Sequence, residues 1–156
     1  MDRIDRQLLA LIQQDGRGSY ARYGQQVGLS AAAVHDRLKK LSASGAVRNW
    51  SAVVDPVLAG LSTLAFVRVQ IDLPANTLAF AEAVSGLPEL MECHHTNGEW
   101  SCLLKMRAAS PERLAQIISE NLSTLPGVIR VQSETVTDTA KETHVLPTAD
   151  TARPSA

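Results

Sequence analysis

The side chains best suited to chemistry stand close together between Glu92 and Cys102, a stretch with two cysteines, two histidines and two carboxylates. Cys93 and Cys102 have neither a CxxC spacing nor the spacing of a metal site. His94 and His95 are consecutive, so on a strand they point to opposite faces and cannot chelate one metal ion together. The chain has no GxSxG, P-loop or GxGxxG motif either. These observations predict a protein that is not an enzyme and that holds no metal or other cofactor.

The dipeptide Asn97-Gly98 lies inside this stretch and is a strong signal for a two-residue turn between two strands. A two-residue turn fixes the pairing of the strands, and it sets Cys93 directly opposite Cys102. Opposed cysteines could form a strained disulfide under oxidative stress, or they could stay reduced in the core, as cytosolic thiols generally do. The sequence leaves both outcomes open.

A second group of side chains that could bind a ligand lies on the helix that is predicted over residues 31–44. Val34, Leu38 and Leu41 form its apolar stripe at i, i+4 and i+7, which leaves basic and polar side chains around the rest of the helix. A basic helix of this kind fits the major groove of DNA, where lysine and arginine contact phosphates or guanine edges. The predicted DNA-binding residues are Ser30, Ala32, His35, Asp36, Arg37, Lys39, Lys40 and Arg48.

Asp36 is an acidic residue in this basic helix and has two interpretations. It can accept a hydrogen bond from a cytosine amino group, or it can pair with Lys39 or Lys40 along the helix. Amphipathic helices with lysine on the solvated face are also common where helices only pack together. The prediction of DNA binding therefore depends on the elements around this helix.

The elements that must position this helix predict a helix-turn-helix. Ser19 is placed to cap a short helix, and Gly28 can end that helix by adopting the left-handed conformation. Ser30 is placed to cap the basic helix that follows at once. Upstream, a third amphipathic helix begins at Asp2, with Asp5 three residues later as in a capping box.

Residues 47–54 alternate well enough to predict a two-stranded wing that carries Arg48. Three helices and a wing make a winged helix-turn-helix domain over residues 1–54. Residues 1–60 hold eight Lys or Arg and five Asp or Glu, whereas the rest of the chain holds seven and eleven. A basic end suits DNA, but its excess is small, so we expect at least a dimer that presents two basic helices to successive major grooves of double-stranded DNA.

The second half of the chain has the pattern of an α+β domain. Residues 55–62, which include Pro56 and Gly60, interrupt the periodicity and predict a linker. Residues 63–143 alternate between strand and helix patterns in the order βαββαβ, which is a ferredoxin-like arrangement, and Leu78, Ala81 and Val84 are predicted to face inward from its first helix. Residues 144–156 have no periodicity and are rich in Pro, Ala and Thr, so they are predicted to be disordered.

Several segments resemble the Lrp/AsnC family of bacterial and archaeal transcription regulators along nearly the whole chain. They are IDRQLLALIQQDGR, SYARYGQQVGLSAAAVHDRLKKLSASGAV, and the Asp55, Pro56, Gly60 and Leu61 that follow. The resemblance implies a winged DNA-binding domain joined to a βαββαβ domain that dimerises, assembles further and senses amino acids. The sheet face without helices could be solvated, as Arg68 and Gln70 suggest. The resemblance favours its pairing with a second copy, and then a tetramer or octamer.

The resemblance also implies an effector site around the predicted hairpin, through the matching segments 92–94, 98–100 and 103–105. Ser101 departs from the pattern, because Lrp-like sensors usually carry an aspartate there that can pair with the ammonium of an amino acid. Without the aspartate carboxylate, the site lacks a charge-assisted hydrogen bond to that ammonium, worth about 1.5 to 3 kcal/mol. The same alignment turns two hydroxyl residues of the last strand toward the site, although all of these residues could simply be exposed. The predicted effector-binding residues are His94, Thr96, Asn97, Gly98, Glu99, Trp100, Ser101, Ser133 and Thr135.

Two other functions fit parts of the sequence. Because Ser101 weakens sensing and leaves oligomerisation intact, the chain could be an architectural DNA-binding protein that needs no effector. The architecture also resembles that of siroheme decarboxylase subunits, where His94, His95 and Arg107 would contact a tetrapyrrole, but only 4% of the chain is aromatic.

Composition restricts the location of the protein. Of its 156 residues, 45% are hydrophobic, which is enough for one domain or two small ones. No run approaches the roughly 20 apolar residues of a membrane span. The first residues, MDRIDRQ, lack the apolar region of a signal peptide. A cytoplasmic protein without a membrane partner is therefore expected.

Overall fold

The computed structural model describes residues 1–72 and 74–148, and the chain divides into two compact units. The first unit consists of Met1–Ala52 and the described residues 141–148, and the second is Val53–Ala140. No helix in the described part of the chain combines the length and the apolar character that crossing a membrane requires.

The first unit contains three helices, α1 (Arg3–Gln14), α2 (Tyr20–Val27) and α3 (Ala31–Ala43). The predicted caps are confirmed: the Oγ atoms of Ser19 and Ser30 accept hydrogen bonds from the backbone N–H groups of Arg22 and Ala33, each three residues after its cap. Gly28 ends α2 with φ 71°, in the left-handed region. The three helices enclose one apolar core, which contains Leu8, Leu9, Ile12, Tyr23, Val34, Leu38 and Leu41.

The predicted wing is wrong. Residues 47–54 form no strand, and β-structure in the described chain begins at Thr63. The backbone N–H of Val47 bonds to the Leu41 carbonyl at 3.2 Å, and the Trp50 ring lies close to Gly16. Two strands of about four residues have too few pairings to be stable alone, and the first unit offers no third strand. Arg48 is therefore an exposed residue on an irregular segment.

Residues 144–148, the described part of the segment that was predicted to be disordered, lie against α1. The Gln13 side chain accepts a hydrogen bond from the Leu146 N–H at 2.7 Å and donates one to the Leu146 carbonyl at 3.2 Å. The same amide nitrogen lies 3.4 Å from the Thr148 hydroxyl. The remainder of that segment, residues 149–156, lies outside the described residues.

The second unit has the predicted βαββαβ order, with an additional π-helical segment after its second helix. Its four strands form one antiparallel sheet in the order β2-β3-β1-β4, which confirms the ferredoxin-like arrangement. The elements are β1 (Thr63–Ile71), α4 (Pro74–Val84), β2 (Leu90–His95), β3 (Cys102–Ala108), α5 (Pro111–Ile117), the π-helical segment Ile118–Leu122 and β4 (Val128–Thr135).

One face of the sheet is covered by helices. Alternate residues of β1 and β3 are fully or almost fully buried there, from Ala65 to Ile71 and from Cys102 to Ala108. From α4 the core receives Phe80 and Val84, while the predicted inward Leu78 is 67% exposed. Phe80 and Val84 share one face at i and i+4, and Leu78, two residues before Phe80, lies on the opposite side of the helix, so the expectation for Val84 is confirmed and that for Leu78 is wrong.

The pairing of β2 with β3 also differs from the predicted register. His95 pairs with Cys102 and Cys93 with Leu104, so the two cysteines are diagonal neighbours rather than directly opposed. A two-residue turn of the favoured type needs positive φ at both central residues, and here Gly98 alone has it, with φ 119°. The chain instead closes a four-residue loop through the Thr96 N–H and the Ser101 carbonyl, at 3.0 Å. A shift of two positions keeps every side chain on its predicted face.

Candidate functional site

Helix α3 presents most of the predicted DNA-binding side chains to solvent. Its N-cap Ser30 uses its Oγ to accept from the Ala33 N–H at 3.2 Å, so this hydroxyl has a local structural role. Opposite the buried stripe of α3 the helix is covered by small, acidic and basic residues. The exposed members of the predicted set on α3 are Ala32, His35, Asp36, Lys39 and Lys40.

Arg37 has a different environment from the other basic residues of α3. Its Nη1 donates to Asp2 and to Asp5, both at 2.7 Å, and its side chain is 32% exposed. The two aspartates are those of the capping box, in which each carboxylate accepts from the backbone N–H of the other residue. Arg37 therefore ties α3 to the start of α1, and its contact with DNA stays a prediction.

The contacts between Arg37 and the two aspartates favour the charged forms of Asp2 and Arg37. The hydrogen bond from the Asp5 N–H, followed by that from Arg37, holds the pKa of the Asp2 carboxyl below its usual value. The hydrogen bonds to Asp2 and Asp5 raise the pKa of Arg37 further above neutrality. The contact is thus an ion pair throughout the physiological pH range.

His35 lies on the side of α3 that faces α2. Its ring centroid is 5.4 Å from that of Tyr20, and its Nδ1 lies 3.5 Å from the Asp36 carboxylate. Both side chains of this polar pair are more than half exposed. His35 is therefore held at the edge of the exposed face of α3.

In the second unit, the loop between β2 and β3 is built around Thr96 and Ser101. The Thr96 hydroxyl donates to the Trp100 carbonyl at 2.6 Å. Asn97, Gly98 and Glu99 are exposed, and Trp100 is half-buried. Five consecutive predicted effector residues, from Thr96 to Trp100, are thus brought together in one loop.

Ser101 closes the end of the sheet instead of projecting freely from the loop. Its N–H donates to the Val69 carbonyl at 2.9 Å, and its Oγ accepts from the Ile71 N–H at 3.0 Å. The hydroxyl also lies 3.4 Å from the Ile71 carbonyl, to which it can donate. The side chain that stands at the expected aspartate position is therefore occupied by backbone groups of β1.

Arg130 on β4 belongs to this loop region, and the sequence reasoning missed it. Its guanidinium lies 4.3 Å from the centroid of the Trp100 ring and forms an ion pair with Glu99. Arg68 lies over the same ring at 5.5 Å and pairs with Glu134. The signal was available, because correct pairing of β1 with β4 sets Arg130 opposite Gln70, at the end of the sheet that carries the loop.

Ser133 and Thr135 are not brought to the loop within the chain. They pair with Val67 and Ala65, which places them three and five residues along β4 from Arg130 and on the face of the sheet that carries the helices. The expectation that they face the loop site is therefore not met by this unit alone, because β4 runs away from the loop.

His94 lies on the helix-free face of the sheet, next to Glu92. Its Nε2 is 3.0 Å from the Glu92 carboxylate, whose other oxygen lies 3.4 Å from Lys105 Nζ. The hydrogen bond from His94 and then the charge of Lys105 lower the pKa of Glu92. His95 points to the opposite face, and the described residues contain no cluster of three or more metal-ligating side chains.

The two cysteines are free thiols. Cys102 is fully buried, and burial raises its pKa to about 11, with a further contribution from the neighbouring Cys93. Burial also raises the pKa of Cys93. Both thiols are therefore protonated at neutral pH, which makes them poor nucleophiles.

Comparisons with known proteins agree with both units. Residues 1–42 match the AsnC-type helix-turn-helix domain, and residues 64–146 match the Lrp/AsnC ligand binding domain. An HTH-type transcriptional regulator of Pyrococcus abyssi is 32% identical, over 94% of this chain and 96% of its own. The leucine-responsive regulatory protein of Escherichia coli is also 32% identical, over 94% of this chain and 90% of its own.

The solved structures point the same way. A transcriptional regulator of Neisseria meningitidis in complex with L-Met superposes with a TM-score of 0.88 at 30% identity, over 94% of this chain and 96% of that one. An AsnC family regulator of Agrobacterium tumefaciens gives the same TM-score at 27% identity, over 94% and 97%. With a three-helix unit that exposes a basic helix and a βαββαβ unit that matches a ligand-binding domain, the chain belongs to the Lrp/AsnC family of transcriptional regulators.

Proposed function

We propose that this regulator acts in the cytoplasm as a homo-oligomer that lays α3 into the major groove of double-stranded DNA. The observation that carries the proposal is the exposed face of α3, where Lys39 and Lys40 form no ion pair with any described residue. Lysines that are not neutralised by the protein can release counterions from DNA phosphates. His35 and Asp36 lie between them and the start of the helix and are available to base edges.

The helix-free face of the sheet supports assembly into a dimer. Phe66 at its centre is 39% exposed, and Leu103 beside it is half-buried, so this face offers apolar surface that a second copy would cover. Two of the charged side chains around them are paired with opposite charges, Arg68 with Glu134 and Lys105 with Glu92, so these four charges do not oppose the approach of a second copy. A two-fold dimer would present two copies of α3, and further pairing of dimers would give a tetramer or octamer.

The loop between β2 and β3 is the proposed effector site, and an amino acid is the proposed effector. The support is the match of residues 64–146 to a ligand-binding domain and the relative whose structure contains L-Met. Glu99 and Arg130 carry the two charges that a zwitterion would pair with, and they are side by side. The proposed contacts are His94, Thr96, Asn97, Gly98, Glu99, Trp100 and Ser101, with Ser133 and Thr135 able to contribute only from another copy.

One observation favours a second function, that of an architectural DNA-binding protein without an effector. The Ser101 hydroxyl is bonded to the Ile71 backbone, and it carries no charge that could bind an ammonium group. Assembly and DNA binding would not depend on this residue. The two functions differ only in their response to small molecules.

The test is a DNA-binding titration with the upstream region of the protein's own gene, at several salt concentrations and with each of the common amino acids. We expect stepwise cooperative complexes, and K39A and K40A should each weaken them. R113A is the matched control, because it also removes one positive charge but lies on α5 of the other unit. A change of the complexes with one amino acid supports sensing, indifference to all of them supports the architectural function, and no complex at low salt would overturn DNA binding.

A further inference from the structure

Asp36 occupies the centre of the exposed face of α3. Ala32, Asp36, Lys39 and Ala43 follow one another at helical spacing and are all exposed, on the side of the helix opposite Val34. The Asp36 side chain is 74% exposed. A helix that docks with this face toward DNA would bring this carboxylate to the floor of the groove.

The residues that flank Asp36 on the exposed face of α3 are small enough for the helix to approach the base edges of DNA closely. One turn before it stands Ala32, whose side chain is a single methyl group, and two turns after it stands Ala43. The long side chains, those of Lys39 and Lys40, can extend toward the phosphates at the edge of the groove. The shortest path from the helix to a base edge is therefore the one that Asp36 occupies.

The charge of Asp36 is not neutralised by the lysines. Its side-chain contact within the described chain is the Nδ1 of His35, at 3.5 Å, and neither Lys39 nor Lys40 pairs with it. An exposed carboxylate at this position opposes the attraction of DNA phosphates, so it weakens binding to every sequence unless a base offers it a donor. This combination of position and availability indicates a role in discrimination between sequences.

We infer that Asp36 selects a cytosine in the target DNA, an inference that rests on the proposed DNA-binding function. Guanine presents two acceptors in the major groove and thymine presents an acceptor and a methyl group, so a carboxylate is repelled by one and gains nothing from the other. Adenine offers an amino donor, but its N7 acceptor lies beside it and faces the second carboxylate oxygen. Cytosine offers its N4 amino group and has no acceptor of its own in the major groove, and it is the base whose amino group aspartate accepts from.

The experiment is selection of bound sequences from a random double-stranded library with the full-length protein and with D36A, D36N and K39A. Wild type should enrich a motif with a cytosine in each half-site that D36A no longer prefers, with about a tenfold loss of discrimination at that position. D36N should shift that position toward adenine, because asparagine pairs with the N6 and N7 of adenine. K39A should keep the wild-type motif and bind more weakly, with a salt slope lower by about one.

The outcomes separate this inference from the function on which it rests. A wild-type motif that D36A and D36N both leave unchanged would overturn the role of Asp36 while DNA binding stands. Loss of a preference for a base other than cytosine would overturn the assignment to cytosine. No enriched motif with wild type would overturn sequence-specific binding itself, and the inference with it. Since the side chain is exposed, thermal melting of both variants should match that of wild type.

Discussion

Arg37 of α3 and Asp5 of α1 are joined by an ion pair of 2.7 Å, and the same guanidinium nitrogen also binds Asp2. The Asp5 side chain is only 15% exposed, so this pair lies partly inside the junction of the two helices. The contact fixes α3 relative to the helix that precedes the helix-turn-helix. Arg37 thus positions α3, on which Lys39 and Lys40 are exposed.

The positioning role of Arg37 predicts a different effect from that of a phosphate contact. We expect R37A to lower the melting temperature, because it leaves Asp2 and Asp5 close together without a cation. The dependence of DNA affinity on salt should keep its slope, whereas K39A should lower the slope by about one. Thermal denaturation and salt titrations check both statements. A slope that falls equally in R37A and K39A would show that Arg37 contacts phosphate.

The close packing at Gly24 predicts that the turn between α2 and α3 does not tolerate a side chain at this position. A Cβ atom at Gly24 would lie 2.3 Å from the backbone oxygen of Leu29, and this backbone cannot move without shifting α3. We expect G24A to destabilise the first unit by about 1 to 3 kcal/mol, the usual cost of overpacking. G86A is the control, since nothing lies within 4 Å of its added Cβ. Equal denaturation midpoints of the two variants would contradict the close packing.

The sequence predicted the elements that depend on local signals. The caps at Asp2, Ser19 and Ser30 and the alternation of β1 are determined by side chains a few residues apart, and the structure has them as predicted. The wing over residues 47–54 and the inward position of Leu78 were wrong, because the first needs a pairing partner and the second depends on which side of α4 packs against the sheet, here that of Phe80 and Val84.

The candidate site was predicted less completely than the fold. The loop residues from Thr96 to Trp100 are contiguous in sequence, so one motif identified them together. Arg130 is 30 residues away, and its contact with Trp100 follows from the order of strands and the register of β4. The Arg37 ion pair likewise joins residues 32 and 35 positions apart. Contacts of this kind depend on the packing of elements that periodicity alone does not orient.

The raised pKa of Cys102 predicts an alkaline loss of stability. Its native pKa is about 11, so the native state keeps a proton that the unfolded chain releases at lower pH. Stability is therefore full below the unfolded pKa and falls as the pH rises toward 11, by about 2 kcal/mol. Urea denaturation between pH 8 and about 11, with C102A as the variant without this titration, measures the difference. Parallel pH profiles of wild type and C102A would contradict the burial of this thiol.

Ser101 predicts how the effector response could be strengthened. In S101D a carboxylate would stand in the loop, where it could still accept from the Ile71 N–H and could pair with the ammonium of an amino acid. A charge-assisted hydrogen bond of about 1.5 to 3 kcal/mol corresponds to an increase in affinity of about ten- to a hundredfold.

Calorimetric titration of wild type and S101D with L-methionine and L-leucine measures this gain, and S101A is the matched control because it has neither the hydroxyl nor the charge. The affinity of S101A for the amino acid separates two explanations for weak binding by wild type. If S101A binds as wild type does and S101D binds more tightly, the missing charge limits affinity. If S101A and S101D both fail to bind where wild type binds, the bond between Ser101 and Ile71 holds the loop in its binding conformation, and the neutral hydroxyl is then a requirement of this regulator.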